Sequence, residues 1–232
     1  MKTRVILLCC ALLSCGREAA KDPSLVGWWK FDEGKGKKAR DFSGNGLNGK
    51  LNDCGWTDGK SGKALRFEGG SFVVVKHRPV LDSPGAELTV AAWVRRDSSR
   101  AWNTVASRQT GSGWSEYIGL AVFADTALFS VDPDGSHYSN IKDTAECPAG
   151  TWVHLAGTVR DSAFTLYVNG IPVNRGRFHP PILYADANPL IIGGNTNSQG
   201  EEWIDTFHGI IDDVRLYRRA LDASEILAIV SE

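Results

Sequence analysis

Methionine and net charge are both scarce in this chain, and no long apolar run occurs in it. One methionine against 25 glycines and 8 tryptophans in 232 residues argues against a helical bundle and for a turn-rich, aromatic β protein. The formal charge of −1 and a pI near 6.5 give no electrostatic reason to expect nucleic acid or an acidic membrane surface as partner. No apolar stretch reaches the ~20 residues that span a bilayer as a helix. No linker composition and no internal repeat divide the chain, so one domain is expected. Catalytic signatures are missing too: there is no G-x-S-x-G elbow, no P-loop and no HExxH or His-x-Glu-x-His zinc spacing. The five histidines (His77, His137, His154, His179, His208) are scattered, and His154 reads as a satisfied core residue. Tyr117, His137 and Arg108 could in principle converge for lyase chemistry, but nothing in their spacing requires it.

The N-terminus reads as a leader. Lys2 and Arg4 precede "VILLCCALLS", a basic start and a short apolar run of the secretory type. The run ends in "LLSC", which resembles the bacterial lipoprotein cleavage motif and makes Cys15 the expected lipid acceptor. Leu13 stands where a small residue is more usual, and ordinary cleavage after Ala19 or Ala20 is the alternative. Residues 1–15 are therefore expected to be a signal peptide, 16–24 a polar tether and 25–232 the folded domain. The expected location is the cell envelope or outer surface of a bacterium, with contact to the membrane through the lipid anchor only. Cys54 and Cys147 remain in the domain. In an exported protein they could form a disulfide, or stand as two separate buried thiols.

From Leu25 onward, short alternating or apolar runs are separated by turn residues, as in "LVGWWKF", "LTVAAWVRR", "WVHLAGTVR" and "GIIDDVRLY". "FTLYVNGIPV" holds the clearest hairpin, since Asn169-Gly170 accepts the positive φ angles of a tight turn. The only helical pattern comes last, where Asp222 and Glu225 form a capping box opening "LDASEILAIV". About a dozen such strands with close turn signals point to an all-β, two-sheet antiparallel sandwich ending in a short helix. In the closing strand, alternation puts Asp212 on one face with Ile210, Val214 and Leu216. A carboxylate there must be paired, hydrogen-bonded or metal-bound. Asp213, of opposite parity and beside Arg215, reads as a solvated ion-pair residue.

Several segments together resemble the LamG-like, concanavalin A-like lectin/glucanase jelly-roll family. "LVGWWKFDEGKGKKARDFSGNGLNGKL" with "DGKSGKALRFEGG" resembles its opening, "PAGTWVHLAGTVRDSAFTLYVNGIPV" its middle hairpin and "FHGIIDDVRLYRRALDASEI" its closing strand and helix. The resemblance covers residues 25–230 and implies a jelly roll. It also implies a structural calcium on Asp212, with Asp32 and the 45–49 turn, Asn48 included, as partners. Calcium takes six to eight oxygens at about 2.3–2.6 Å. The alternative is that Asp212 accepts hydrogen bonds from loop amides or pairs with an arginine such as Arg40.

The family's glucanases carry a Glu-x-Asp-x-Glu pattern on one strand, which this chain lacks. "GEEWIDTF" holds Glu201, Glu202 and Asp205, but Glu202 and Asp205 fall on opposite faces of a strand, so no catalytic pair is expected. Binding is left. Trp102, Trp114, Tyr138 and Trp203 lie in or beside predicted loops, with Arg108, Glu116, Asn195 and Asn197 near them. Aromatic rings beside amides and charges suit carbohydrate. The contact set expected is Trp102, Trp114, Tyr138, Trp203 and Asn195. Local packing of loops or a protein interface is the other explanation. Trp28, Trp29, Trp93 and Trp152 sit within strands and read as core. The overall expectation is a non-catalytic, surface-anchored module for extracellular carbohydrate; the alternatives are a structural or cell-envelope-protein-binding module without glycan affinity and, after it, a divergent glycoside hydrolase or polysaccharide lyase.

Overall fold

The computed structural model describes residues 22–82, 87–99, 102–109, 116–133, 137–178, 188–196 and 203–232. Cys15 and the predicted leader lie outside them. In chain order the strands are β1 (Leu25–Trp29), β2 (Lys38–Ala39), β3 (Gly49–Asn52), β4 (Gly55–Asp58), β5 (Lys63–Glu68), β6 (Phe72–Val75), β7 (Glu87–Arg96), β8 (Trp102–Gln109) and β9 (Glu116–Phe123). They continue as β10 (Thr126–Val131), β11 (Ser139–Glu146), β12 (Val153–Arg160), β13 (Ala163–Val168), β14 (Ile171–Arg177), β15 (Leu190–Ile192), β16 (Asn195–Thr196), β17 (Trp203–Ile204) and β18 (His208–Tyr217). Helix α1 (Ala223–Ser231) follows.

The strands form two large antiparallel sheets packed as a jelly-roll sandwich. The first runs β14-β13-β12-β7-β18-β5-β4, with β1 also on β18; the second runs β11-β10-β9-β8-β15-β6-β3-β2. Inward residues alternate with outward ones, so Leu120, Val122, Phe129 and Val131 of the second sheet meet Leu155, Leu166 and Ile211 of the first in one core. The sheets approach so closely that a Cβ on Gly157 of β12 would overlap the Phe129 ring. The Asn169-Gly170 turn has φ angles of 50° and 82°, as the hairpin reading requires. Asp222 caps α1 with the expected capping box. The helix lays Ile226 and Ile229 over Ala91, Ala156, Tyr167 and Tyr217 on the outer face of the first sheet.

Three expectations are corrected here. Strand β18 does not alternate throughout: its register against β7 shifts between Asp212 and Arg215, and Asp213 takes a φ of 48°. This bulge reverses the parity. Ile211, Val214 and Leu216 face the core, while Asp212 stands opposite Trp93 on the outer face. Of the four strand tryptophans read as core, only Trp29 belongs to it, fully buried with its indole donating to the Leu47 carbonyl at 2.7 Å. Trp28 and Trp152 are half-buried, and Trp93 is on the outer face. Cys54 and Cys147 are free. Cys54 precedes β4, one edge of the first sheet, whereas Cys147 follows β11, which is tied to the opposite edge by the Asn174 amide on the Lys142 carbonyl at 2.7 Å. Cys147 is buried and Cys54 partly so, and burial pushes the two thiols up to about 11 and about 12.

Candidate functional site: a groove on the second sheet

The outer face of the second sheet is built by the same alternation that fills the core. With Phe129, Ala106 and Ile141 turned inward, Leu128, Ser130, Ser107, Asn140 and Lys142 turn outward. Thr104, Ser107 and Ser130 on this face are nevertheless buried. The Ser107 hydroxyl donates to the Gly194 carbonyl at 2.9 Å and Ser130 to the Gly119 carbonyl at 3.2 Å. The short β16–β17 pairing, Thr196 against Trp203, lies alongside, and the Asp205 carbonyl accepts the Thr104 amide at 2.9 Å. That hydrogen bond fixes the 203–206 segment over the sheet.

Between this segment and β11 runs a groove of about 360 Å³, lined by Trp102, Leu128, Tyr138, Asn140, Lys142, Asn195, Ile204 and Asp205. Trp102 is 36% exposed and Tyr138 46%. Trp102 meets Phe123 edge-on, centroids 4.7 Å apart, and the Lys142 ammonium rests 4.6 Å from the centroid of that same Phe123 ring. Asn195 is buried, and its Oδ1 accepts from the Ser107 hydroxyl at 3.2 Å, the Thr196 amide at 2.9 Å and the Gln109 side-chain amide. Asp205 is half-buried, and burial raises its carboxyl above the ordinary range.

Of the predicted contact residues, the fold brings Trp102, Tyr138 and Asn195 into one groove. Trp114 and Asn197 lie outside the described residues, and only the backbones of Trp203 and Glu116 are described. Arg108 does not join them: it is buried, bound to Asp82 at 2.6 Å and the Leu81 carbonyl at 2.9 Å. Asn140, Lys142 and Asp205 line the groove as well and were not in the expected contact set. The polar residues at period two in "SNIKD" were the available signal for the first two, because they mark a strand with one wet face.

A second cavity, about 300 Å³, lies on the outer face of the first sheet beside α1. Trp28, Trp93, Lys30, Asp32, Lys60, Asp212 and Arg215 are among its lining residues. Asp212 is 1% exposed, and its Oδ2 accepts the amides of Lys60 at 2.8 Å and Ser61 at 3.2 Å. Burial pushes its carboxyl up to about 6, against the opposing pull of those amides. Asp32 Oδ1 accepts the Lys63 amide at 2.9 Å from the same turn, and a Cβ on Gly62 would collide with that oxygen. Asn48 is elsewhere, its Oδ1 taken by the Asp41 amide at 3.1 Å. The expected calcium set is thus only partly gathered: Asp32 and Asp212 share this cavity, where each accepts backbone N–H groups of one turn, and Asn48 is not with them. Among the described residues no three His, Cys, Asp or Glu stand close enough to hold a metal. The donors fit hydrogen-bonded carboxylates and not a calcium cage.

Three of the remaining charged groups of this cavity pair with one another, and its two lysines rest on rings. Asp213 accepts from the Trp28 indole and pairs with Arg215 at 2.9 Å, and Arg215 also reaches Glu232. Lys30 lies 4.2 Å from the Trp28 centroid and Lys60 4.6 Å from that of Trp93. Behind Trp93 stands His154, fully buried with its ring 5.3 Å from the indole. Neither of its nitrogens has a partner, and as the register partner of Trp93 it shares the outer face, so it is buried but neither in the core between the sheets nor satisfied. Burial, with the charge of Arg215 behind it, lowers it to about 3.

Residues 67–227 match the family model for the concanavalin A-like lectin/glucanases superfamily. A curated relative, adhesion G-protein coupled receptor V1 of Danio rerio, is 29% identical over 152 residues, which is 61% of this chain. The chain spans only 2% of that receptor's length. Among solved structures, domain 4 of AbnA, an extracellular GH43 arabinanase from Geobacillus stearothermophilus in complex with arabinotriose, superposes with a TM-score of 0.73 at 22% identity. That match covers 89% of this chain and 98% of that one. The binding domain of Paraclostridial Mosquitocidal Protein 1 gives 0.73 at 17% identity, covering 89% and 52%. The binding domain of botulinum neurotoxin DC in complex with SialylT gives 0.67 at 13%, covering 90% and 51%. With two thirds of its length matching the family model, in the strand order described above, the chain belongs to the concanavalin A-like lectin/glucanase superfamily.

Proposed function

We propose that this protein is a non-catalytic carbohydrate-binding module, exported and held at the bacterial cell surface by a lipid on Cys15. The observation that carries the reading is the groove on the second sheet. Two exposed rings, Trp102 and Tyr138, line it together with polar groups of both signs and the apolar Leu128 and Ile204. An aromatic face takes the apolar CH side of a sugar ring while amides and charges take its hydroxyls. The arabinotriose bound by the arabinanase domain and the SialylT bound by the toxin domain support glycan as the ligand class. Asp205 is the one carboxylate among the described lining residues, and glycosidic cleavage requires two, which supports binding without turnover. The anchor rests on the "LLSC" motif alone. Glycan-array binding by the mature protein tests the module. Selective binding that falls about tenfold or more in Trp102→Ala, with the fold intact, is the expected result. Binding of no glycan by folded protein overturns it. Labelled fatty acid on the wild type and none on Cys15→Ser tests the anchor.

A further inference from the structure

We infer that the groove selects an uncharged sugar with adjacent hydroxyls, held between Lys142 and Asp205, an inference that rests on the carbohydrate reading above. Both residues line the groove from different elements, Lys142 on β11 and Asp205 just after β17. The Lys142 ammonium rests on the Phe123 ring, and no described residue accepts a hydrogen bond from it. No described residue donates to the Asp205 carboxylate, although it is half-buried. The two do not form an ion pair with each other or with any described residue. A cation held only by a ring and an anion with no described donor, together in one groove, suit a ligand that donates and accepts yet carries no charge.

A pair of neighbouring sugar hydroxyls meets that demand. One donates to Asp205, the other accepts from Lys142, and the ring's apolar side is left to Trp102. A uronic acid would bring a carboxylate beside Asp205, and an amino sugar an ammonium beside Lys142. Each like-charge approach in a partly desolvated groove is repulsive. A uronate that pairs with Lys142 sets its charge against Asp205, and an ammonium that pairs with Asp205 sets its charge against Lys142, whereas a neutral pair of hydroxyls meets both groups without repulsion.

Calorimetry on the mature protein separates the cases with a panel of neutral pentose and hexose trisaccharides, trigalacturonic acid and the trimer of glucosamine. The best neutral sugar should bind at least about tenfold more tightly than either charged trimer. Asp205→Asn and Lys142→Met should each weaken it by about tenfold. The first should also narrow the gap to the acidic trimer, and the second the gap to the basic one. A charged trimer binding as tightly as the best neutral sugar, or neutral binding unchanged in both variants, overturns this inference while the module remains a lectin. Failure of the whole panel, charged and uncharged, overturns the carbohydrate reading and this inference with it.

Discussion

The two outer faces of the sandwich use the same residue types to opposite ends. Each carries a concavity of a few hundred cubic ångströms lined with tryptophan, lysine and aspartate. Over the first sheet, Trp93 is 9% exposed beneath Lys60, and Asp212 is held by two amides. Asp213, Arg215 and Glu232 complete one another. Over the second sheet, Trp102 and Tyr138 are exposed and the Asp205 carboxylate accepts from no described donor. Lysine does not distinguish the faces, since Lys142 rests on Phe123 much as Lys60 rests on Trp93. What differs is whether the protein itself meets the demands of its aromatic rings and acids. The first cavity is a joint between the chain's two ends and the 59–63 turn; the second is open to a ligand.

Substitutions can break this contrast from either side. The largest effect belongs to Trp93→Ala, which removes a buried ring from the joint. It should destabilise the fold by roughly 3–5 kcal/mol in chemical denaturation while leaving glycan affinity unchanged. Asp212→Ala comes next. Stranding the Lys60 and Ser61 amides should cost about 1–3 kcal/mol, and a chelator should leave the melting temperature of the wild type where it was. A fall of several degrees on chelation would place a cation in the joint.

A smaller effect has a pH signature. Asp212 moves from an ordinary 3.8 to about 6 on folding. Between those values the folded state holds a proton that the unfolded chain has lost. This group's contribution to stability therefore rises as pH falls from 7 through 6, and levels off below 3.8. Asp212→Asn lacks that response, so the melting temperature of the wild type minus that of the variant should grow on going from pH 7 to pH 5. A constant difference would mean the carboxyl is not shifted. The smallest effect on stability is expected at Trp102→Ala, within about 0.5 kcal/mol, beside a loss of glycan affinity of about tenfold.

The jelly roll was readable because its signals are local. The Asn169-Gly170 turn, the Asp222 capping box and the alternating runs each depend on a few neighbouring residues. The role of Asp212 was only half readable. Its inward parity followed from strict alternation, and the bulge at Asp213 that cancels this is a tertiary accommodation between β18 and β7. The amides that hold it come from residues about 150 positions away in the chain. Trp102, Tyr138 and Asn195, which line the groove, could be singled out because aromatic and amide side chains near loops are visible one at a time. Lys142 and Asp205 were not, because a lysine or aspartate becomes informative only once the fold shows that nothing else satisfies it. Asn140 and Lys142 also lie on an edge strand whose apolar residues are too few to announce it. The cysteines show the same limit: composition suggested a bond that the placement of Cys54 and Cys147 at opposite edges forbids.

The contrast between the faces is tested most directly by the indole N–H signals in a nitrogen–proton correlation spectrum, assigned by substitution and followed during titration with the best neutral sugar from the panel. The account predicts that the Trp102 signal moves in proportion to occupancy while those of Trp28 and Trp93 stay in place. Movement of Trp28 or Trp93 with Trp102 unchanged would put the ligand over the first sheet and contradict it.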